Sequence, residues 1–229
     1  MVRAFYEGYK MVICPNCGEI PKNEISIFNK NLRKQNFDLT PILPTCKQCN
    51  SEVSILNICS RGNIIVINGT CGSGKSTVAE LLVKRNFSAI DGDCVLQTVK
   101  HRLSQKSIHF QEPCIFDEIA YEIDILSMYG DNFVLSHILM PEDMGKYIEM
   151  FNARNLTYRF ILLKPDYEIA VERCRTRTCH RSVTPEQWIK HFYDALEFDN
   201  IVEVINNSDM TASETVNCIL NSKHPLPLS

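Results

Sequence analysis

The stretch that decides the fold reads Gly69-Thr70-Cys71-Gly72-Ser73-Gly74-Lys75-Ser76 and fits the pattern G-x-x-x-x-G-K-S. The apolar run from Ile64 to Ile67 precedes it and predicts a buried strand that ends at Asn68. Apolar residues with helical spacing follow it and predict a helix that begins at Ser76. A strand, a glycine-rich turn and a helix in this order are the context in which the pattern binds phosphate.

Each part of the pattern has a role in binding a nucleotide. The glycines let the backbone curl, so that successive N–H groups and the positive end of the helix face an anion. Lys75 would neutralise the β and γ phosphates of ATP as a catalytic residue, and Ser76 would offer its hydroxyl to Mg²⁺. An ordinary turn needs neither the lysine nor all three glycines. The predicted ATP-binding residues here are Gly69, Thr70, Cys71, Gly72, Ser73, Gly74, Lys75, Ser76 and Thr77.

Apolar runs and helical stretches alternate along the rest of the chain. The runs that predict strands lie at residues 64–67, 89–90, 133–135, 160–163 and 201–205. The residues Thr-Ala-Ser-Glu at 211–214 fit a capping box that would begin a last helix. Strands separated by helices predict a parallel five-stranded sheet with helices on both faces, which is an α/β three-layer sandwich.

Two acidic residues, Asp91 and Asp93, follow the second predicted strand with one glycine between them. Open α/β sheets bind ligands at the carboxyl ends of their strands, and residues two apart on an extended chain point to the same side. We therefore predict that both side chains aim into the crevice above the phosphate loop. A polar turn without chemistry is the alternative, because aspartate and glycine are common turn residues.

A second acidic pair, Asp117-Glu118, lies where Ile115, Ile119 and Ile123 have helical spacing. The spacing predicts a helix whose apolar side is buried and whose other side carries the two acids. We therefore predict that both acids are exposed.

Four arginines, Arg173, Arg175, Arg177 and Arg181, follow the fourth predicted strand on a helix and the loop that ends it. The position of this cluster favours a kinase over the other classes of protein that carry a phosphate loop. A run of charges is also typical of a solvated helix face. The sequence leaves both interpretations of this cluster open.

With these features, the segment from residue 63 to residue 222 resembles the small-molecule kinases of the shikimate kinase, gluconate kinase and chloramphenicol phosphotransferase group. The resemblance implies a P-loop NTPase fold like that of nucleoside monophosphate kinases. It implies that Asp91 helps to hold Mg²⁺ and that Asp93 faces the acceptor hydroxyl as a catalytic base. The arginine-rich stretch resembles the lid of that family, so Arg177 and Arg181 would contact phosphate during catalysis.

The same resemblance also implies which residues bind the adenine of ATP and which acceptor is expected. Residues 206–208 are similar in position to the loop that lines adenine, so Asn207 would bind the nucleotide. Shikimate kinases carry a glycine-rich turn after the third strand, whereas this chain has Ser-His-Ile-Leu-Met-Pro at 136–141. Shikimate is therefore not the expected acceptor. His137 lies where an acceptor contact would be, and a purely structural histidine is the alternative.

Two C-x-x-C turns near the N-terminus predict a metal site. Cys14 and Cys17 are separated from Cys46 and Cys49 by 28 residues. Two such turns close a four-thiolate site without an open position, which is typical of structural Zn²⁺. The total of 11 cysteines and the lack of an export signal disfavour a disulfide framework. We predict a zinc-ribbon domain at residues 1–57 and a kinase domain at 58–229, with a redox pair or packing cysteines as the alternatives.

The charge pattern limits the partners. The net charge of −3 argues against binding of nucleic acid or anionic lipid over the whole surface. The first 50 residues hold seven basic and four acidic residues, so a nucleic-acid contact through the ribbon is possible but not favoured, and its protein partner is unknown. No apolar run has the roughly 18 residues that cross a bilayer, and no signal peptide is evident. We expect a cytoplasmic protein.

These observations favour an ATP- and Mg²⁺-dependent phosphotransferase with a Zn²⁺ ribbon. The acceptor would be a hydroxyl of a small polar molecule. A kinase that acts on the 5′-hydroxyl of nucleic acid is one alternative. A regulatory module that binds ATP and docks through its ribbon is another.

Overall fold

The computed structural model describes residues 10–20, 25–26, 45–51, 54–57, 62–105, 113–127, 130–176, 185–198 and 201–222. The chain divides into two compact units. Met1–Gly62 and Asp93–Asp131 form one, called here the N-terminal unit. Asn63–Gly92 and Asn132–Ser229 form the other, called the phosphate-loop unit. The division into domains after residue 57 stays a prediction.

Strands and helices account for most of the described residues. The strands are β1 Lys10–Cys14, β2 Gly18–Ile20, β3 Ile25–Ser26, β4 Thr45–Cys46, β5 Ser54–Asn57, β6 Gly62–Asn68, β7 Ser88–Asp91, β8 Asn132–Ser136, β9 Leu156–Leu163 and β10 Val202–Ile205. The helices are α1 Lys75–Val83, α2 Gly92–Gln105, α3 Pro113–Leu126, α4 Met144–Ala153, α5 Tyr167–Thr176, α6 Glu186–Ala195 and α7 Ala212–Asn221. A short 3₁₀ helix, Pro141–Asp143, precedes α4. Among these helices, none has both the length and the apolar character to cross a membrane.

The phosphate-loop unit contains the predicted five-stranded parallel sheet. Its strands lie in the order β10-β9-β6-β8-β7. The pairs β10 with β9, β6 with β8 and β7 with β8 are parallel. The strand that leads into the phosphate loop is therefore the central one, and the carboxyl ends of its neighbours lie at the same edge of the sheet.

Helices α1 and α7 cover one face of this sheet. Ile65 and Ile67 of β6 pack in one buried cluster with Val78 and Leu82 of α1 and Ile219 of α7. Both faces of a parallel sheet are covered by helices, so its strands are continuous apolar runs. This explains why residues 64–67 are apolar without alternation.

The opposite face of the sheet is covered by α4. Phe151 of α4 lies with its ring centroid 5.7 Å from that of Tyr158 and 6.1 Å from that of Phe160, both on β9. These residues alternate with Ile161 and Leu163, which belong to the first face. The predicted three-layer sandwich is thereby confirmed.

Two more features fix the helices around the sheet. α5 and α6 pack through Ala170, Val171 and Cys174 against Ile189. α7 begins with the predicted capping box, in which the Thr211 hydroxyl accepts from the Glu214 N–H and the Glu214 carboxylate accepts from the Thr211 N–H. That backbone hydrogen bond lowers the pKa of Glu214.

The N-terminal unit combines small antiparallel sheets with two helices. β2, β1 and β5 form a three-stranded sheet in that order, and β3 pairs with β4. α3 contacts β5. The predicted exposure of the acidic pair on α3 holds for Asp117 but is wrong for Glu118, which is only 8% exposed. The buried side of α3 is wider than the spacing of its isoleucines indicates, since Ala120 is buried as well.

Candidate functional site

The phosphate loop, residues 69–74, is bent by glycines between β6 and α1. Gly72 and Gly74 have φ values of +82° and +94°, which side chains with a Cβ rarely adopt. Any side chain at position 72 would also clash, because a Cβ there would lie 2.0 Å from the carbonyl oxygen of Ala170 on α5. The loop therefore packs directly on the backbone of α5.

Lys75 is the first residue of α1, one position earlier than predicted, and its amine lies over the loop. Its Nζ donates to the carbonyl oxygens of Gly69 at 2.6 Å and Thr70 at 3.0 Å. These bonds hold the positive charge against the loop at the positive end of α1. A phosphate in the loop would meet both the ammonium group and the N–H groups of the helix end.

Ser76 and Asp91 face each other at the end of the sheet. The Ser76 hydroxyl lies 3.3 Å from Oδ2 of Asp91. Two oxygens bound to one Mg²⁺ at about 2.1 Å and at right angles are about 3 Å apart. The pair therefore fits a Mg²⁺ site with one hydroxyl and one carboxylate, and the other ligand positions remain for water and phosphate oxygens.

Two side-chain hydrogen bonds support the phosphate loop from neighbouring elements. Asn207, which follows β10, is 3% exposed and donates through Nδ2 to the Ser73 carbonyl oxygen at 3.0 Å. The Thr70 hydroxyl donates to the Ile189 carbonyl oxygen on α6 at 3.0 Å. The Asn207 side chain thus braces the loop, and its predicted contact with adenine stays a prediction.

Of the four predicted arginines, two lie in the described residues and both are engaged within the protein. Arg173 donates to the carbonyl oxygens of Asn207 at 2.9 Å and Ser208 at 3.0 Å. Arg175 pairs with Glu186 at 3.0 Å on the surface. Arg173 therefore fixes the loop after β10. Arg177 and Arg181 lie outside the described residues.

His137 follows β8, and its half-buried imidazole lies on the backbone of Gly92. A Cβ on Gly92 would be only 2.1 Å from Nδ1 of the ring, so glycine is what allows this approach. The N–H of His137 donates to the Ile67 carbonyl oxygen at 3.2 Å. Because Gly92 directly follows Asp91, the imidazole lies beside the residue that could hold Mg²⁺.

Asp93 does not lie on an extended chain, although its sequence position predicted one. β7 ends at Asp91 and α2 begins at Gly92, so Asp93 occupies the first turn of α2. A carboxylate is favourable there because it faces the positive end of the helix. The two-residue period of a strand therefore does not apply to Asp93. Asp91 belongs to the phosphate-loop unit and Asp93 to the N-terminal unit, and its role stays a prediction.

The two C-x-x-C turns of the N-terminal unit have matching geometry. The residue after each second cysteine, Gly18 or Asn50, is in the left-handed region, with φ of +76° and +56°. Glycine and asparagine are the residues that tolerate this conformation. In the first turn the Cys17 N–H donates to Sγ of Cys14 at 3.4 Å. Both turns are thus followed by a residue with the same backbone conformation.

The four thiols converge on one point. The Sγ atoms of Cys14, Cys17, Cys46 and Cys49 all lie within 4.8 Å of one another. Sγ of Cys14 is 3.3 Å from that of Cys49, and Sγ of Cys46 is 3.8 Å from that of Cys17. Tetrahedral Zn²⁺ with Zn–S bonds of about 2.3 Å separates its sulfurs by about 3.8 Å. The tetrad fits Zn²⁺.

Two of these thiols, those of Cys17 and Cys49, have shifted pKa values. Hydrogen bonds with the side chain and backbone of Ser51 lower the pKa of Cys49 to about 6. Hydrogen bonds shared with Cys49 and Cys14 raise the pKa of Cys17 to about 12. Metal binding needs thiolates, so it must release protons here.

Three side-chain contacts around the phosphate loop were not predicted from the sequence. The side chains of Asn68, Thr70 and Arg173 each bond to backbone that lies far away along the chain. A polar amide directly after a run of buried residues, as at Asn68, is a signal that could have been noticed. The other two contacts have no local signal.

Comparison with known proteins gives one family match. The model of a family described as AAA domain matches residues 65–188. The cytidylate kinase of Fusobacterium nucleatum subsp. nucleatum is 34% identical over 76 residues, which are 33% of this chain and 34% of that protein. The chain thus aligns with about a third of the length of this curated relative.

Two solved structures are similar to the chain in fold. A sugar kinase from a Janibacter species has a TM-score of 0.52 at 16% identity and covers 69% of this chain and 92% of that chain. The tunicamycin resistance protein of Deinococcus radiodurans has a TM-score of 0.50 at 16% identity, covering 69% and 94%. At such identities the similarity concerns the fold alone.

Proposed function

The chain belongs to the AAA domain family, and on that premise we propose that it is a kinase that transfers the γ-phosphoryl group of ATP to a hydroxyl of a small polar molecule. The observation that carries the proposal is the position of Lys75, Ser76 and Asp91 around one glycine-bent loop at the carboxyl edge of the sheet. Phosphoryl transfer depends mainly on positioning and on neutralising charge. These residues supply both.

The nucleotide side of the reaction is assigned to the phosphate-loop unit. The N–H groups of residues 69–76 would bind the phosphates, and the Lys75 ammonium group would neutralise their charge. Ser76 and Asp91 would hold Mg²⁺, which shields the β and γ phosphate oxygens when it is bound. Arg177 and Arg181 are proposed to contact phosphate as a lid.

The acceptor side is assigned to Asp93 and His137. Asp93 would orient or deprotonate the acceptor hydroxyl. His137 would contact the acceptor, because its imidazole lies against Gly92, the residue after Asp91, at the carboxyl edge of the sheet. Neither Asp93 nor His137 is assigned to the nucleotide. Substitution of either residue should therefore affect the acceptor and leave ATP binding nearly unchanged.

The proposal is tested by measuring ATP consumption against a panel of acceptors. The panel holds nucleosides, sugar acids, aminoglycoside-like compounds, 5′-hydroxyl oligonucleotides and cytidine monophosphate, the last because the curated relative is a cytidylate kinase. We expect turnover stimulated by one class of small hydroxyl compound. Stimulation by oligonucleotides alone would favour a nucleic-acid kinase. ATP binding without stimulated turnover would favour a regulatory module.

We also propose that the cysteine tetrad binds one structural Zn²⁺ per chain. Elemental analysis of protein purified without added metal should give one equivalent. Cys46→Ser should lose the metal and unfold the ribbon strands, because a small module has little other core to stabilise it. The core around β6, α1 and α7 should stay folded. Cys218→Ser is the matched control, because Cys218 lies on α7 and is not part of the tetrad. This variant should keep its zinc.

Less than half an equivalent of zinc in the intact parent protein would contradict the assignment. Equal zinc contents in Cys46→Ser and Cys218→Ser would contradict it as well. Circular dichroism of both variants separates loss of metal from loss of fold.

A further inference from the structure

Asn68, the last residue of β6, uses its buried side chain to bind the segment that follows β8. The residue is 2% exposed. Its Nδ2 donates to the Leu139 carbonyl oxygen at 2.6 Å, and its Oδ1 accepts from the Leu139 N–H at 3.1 Å. Oδ1 also accepts from the N–H of Gly69, the first residue of the phosphate loop, at 2.7 Å. One side-chain amide therefore joins the phosphate loop to residue 139.

This amide continues the pairing of two strands beyond the point where their backbones separate. β6 and β8 are in register up to Ile67 and Ser136, and the N–H of His137 bonds to the Ile67 carbonyl oxygen. The backbone of β6 then turns away into the phosphate loop. A primary amide carries one acceptor and a donor with the same geometry as a peptide group. Asn68 therefore pairs with Leu139 as another strand residue would.

We propose that Asn68 is a positioning residue that couples the phosphate loop to the acceptor side of the site, an inference that rests on the proposed kinase function. The segment after β8 is held at His137 by Ile67 and at Leu139 by Asn68. The hydrogen bonds at His137 and Leu139 thereby hold the His137 imidazole against Gly92. A movement of the phosphate loop on nucleotide binding acts on Leu139 through the bond between Gly69 and Asn68.

Two variants and one control test the coupling. Asn68→Ala removes all three bonds. Asn68→Asp keeps the volume and the acceptor toward Gly69 but loses the donor toward Leu139. Asn63→Ala is the control, because Asn63 lies on the same strand at its other end, is exposed and bonds to Asn132. Thermal unfolding of each variant checks that it is folded.

The readouts are amide hydrogen exchange at residues 137–140, with and without ATP and Mg²⁺, and steady-state kinetics. In the parent, nucleotide binding should slow exchange at 137–140. Asn68→Ala should exchange there about 10-fold faster and lose the response to nucleotide. Its KM for the acceptor should rise about 10-fold, and its KM for ATP should change less than about 3-fold. Asn68→Asp should share the exchange defect and keep ATP binding.

Each other outcome has a definite meaning. Parental exchange at 137–140 in both variants would overturn the inference, as would an equal rise in both KM values. An absence of acceptor-stimulated turnover in the parent would contradict the proposed function alone. In that case the exchange data still decide the coupling. If nucleotide does not change the exchange at residues 137–140 of the parent, the inference is overturned.

Discussion

Replacement of Lys75 by alanine is expected to remove nearly all phosphoryl transfer, with turnover lowered by on the order of 10² to 10³ or more. The Lys75 ammonium group is held over the loop by the carbonyl oxygens of Gly69 and Thr70. It is the cation that the motif places between the β and γ phosphates. ATP affinity should fall as well, because the charge is present in the ground state. Turnover assays and calorimetric ATP titration measure the two effects.

Lys84→Ala is the matched control for this substitution. Lys84 is the exposed C-cap residue of α1, so its loss removes one positive charge from the same helix. We expect parental turnover in Lys84→Ala. Retained turnover in Lys75→Ala, with a parental melting temperature, would contradict the assignment of the loop to phosphate binding. A lowered melting temperature would instead identify the lysine as a brace of the loop carbonyls.

Local sequence patterns predicted much of the fold because they depend on neighbouring residues. The run at residues 64–67, the glycine pattern behind it and the capping box at 211–214 each act within one turn or one strand. Their periodicity and chemistry are therefore visible in the sequence. The strand order β10-β9-β6-β8-β7 does not follow from these local elements, because right-handed crossovers are compatible with more than one order of five strands.

The contacts that the sequence did not predict join residues distant along the chain. Asn68 and Leu139 are 71 positions apart, and Arg173 and Asn207 are 34 apart. A run of arginines predicts charge but not the carbonyl oxygen that one of them will bind. Arg173 therefore resembled a lid residue in the sequence, although in the structure it fixes the loop after β10.

The position of Asp93 shows a different limit. Asp-Gly-Asp after a strand is compatible with an extended end, a turn or the start of a helix, and glycine adopts all three. In the structure the helix begins at once, and the glycine is required because the imidazole of His137 occupies the space of its missing side chain. A tertiary contact thus explains why residue 92 is glycine, and such a contact leaves no local signal in the sequence.

Asp93→Asn is expected to lower the acceptor-dependent kcat by on the order of 10² to 10⁴, the usual contribution of a positioned general base. Asparagine keeps the shape of the side chain and loses its charge and proton affinity. ATP affinity should change little, because the proposed phosphate contacts come from residues 69–76. Asp91→Asn should instead raise the Mg²⁺ concentration needed for half-maximal turnover, since Asp91 faces the Ser76 hydroxyl.

The measurement that separates these roles is nucleotide binding beside turnover for each variant, with Mg²⁺ varied. Asp117→Asn, an exposed acid on α3 of the same compact unit, is the control and should behave like the parent. Unimpaired transfer by Asp93→Asn would show that another residue serves the acceptor. His137 is then the next candidate, because its ring lies beside Asp91, and His137→Ala should carry the loss of kcat that Asp93→Asn did not.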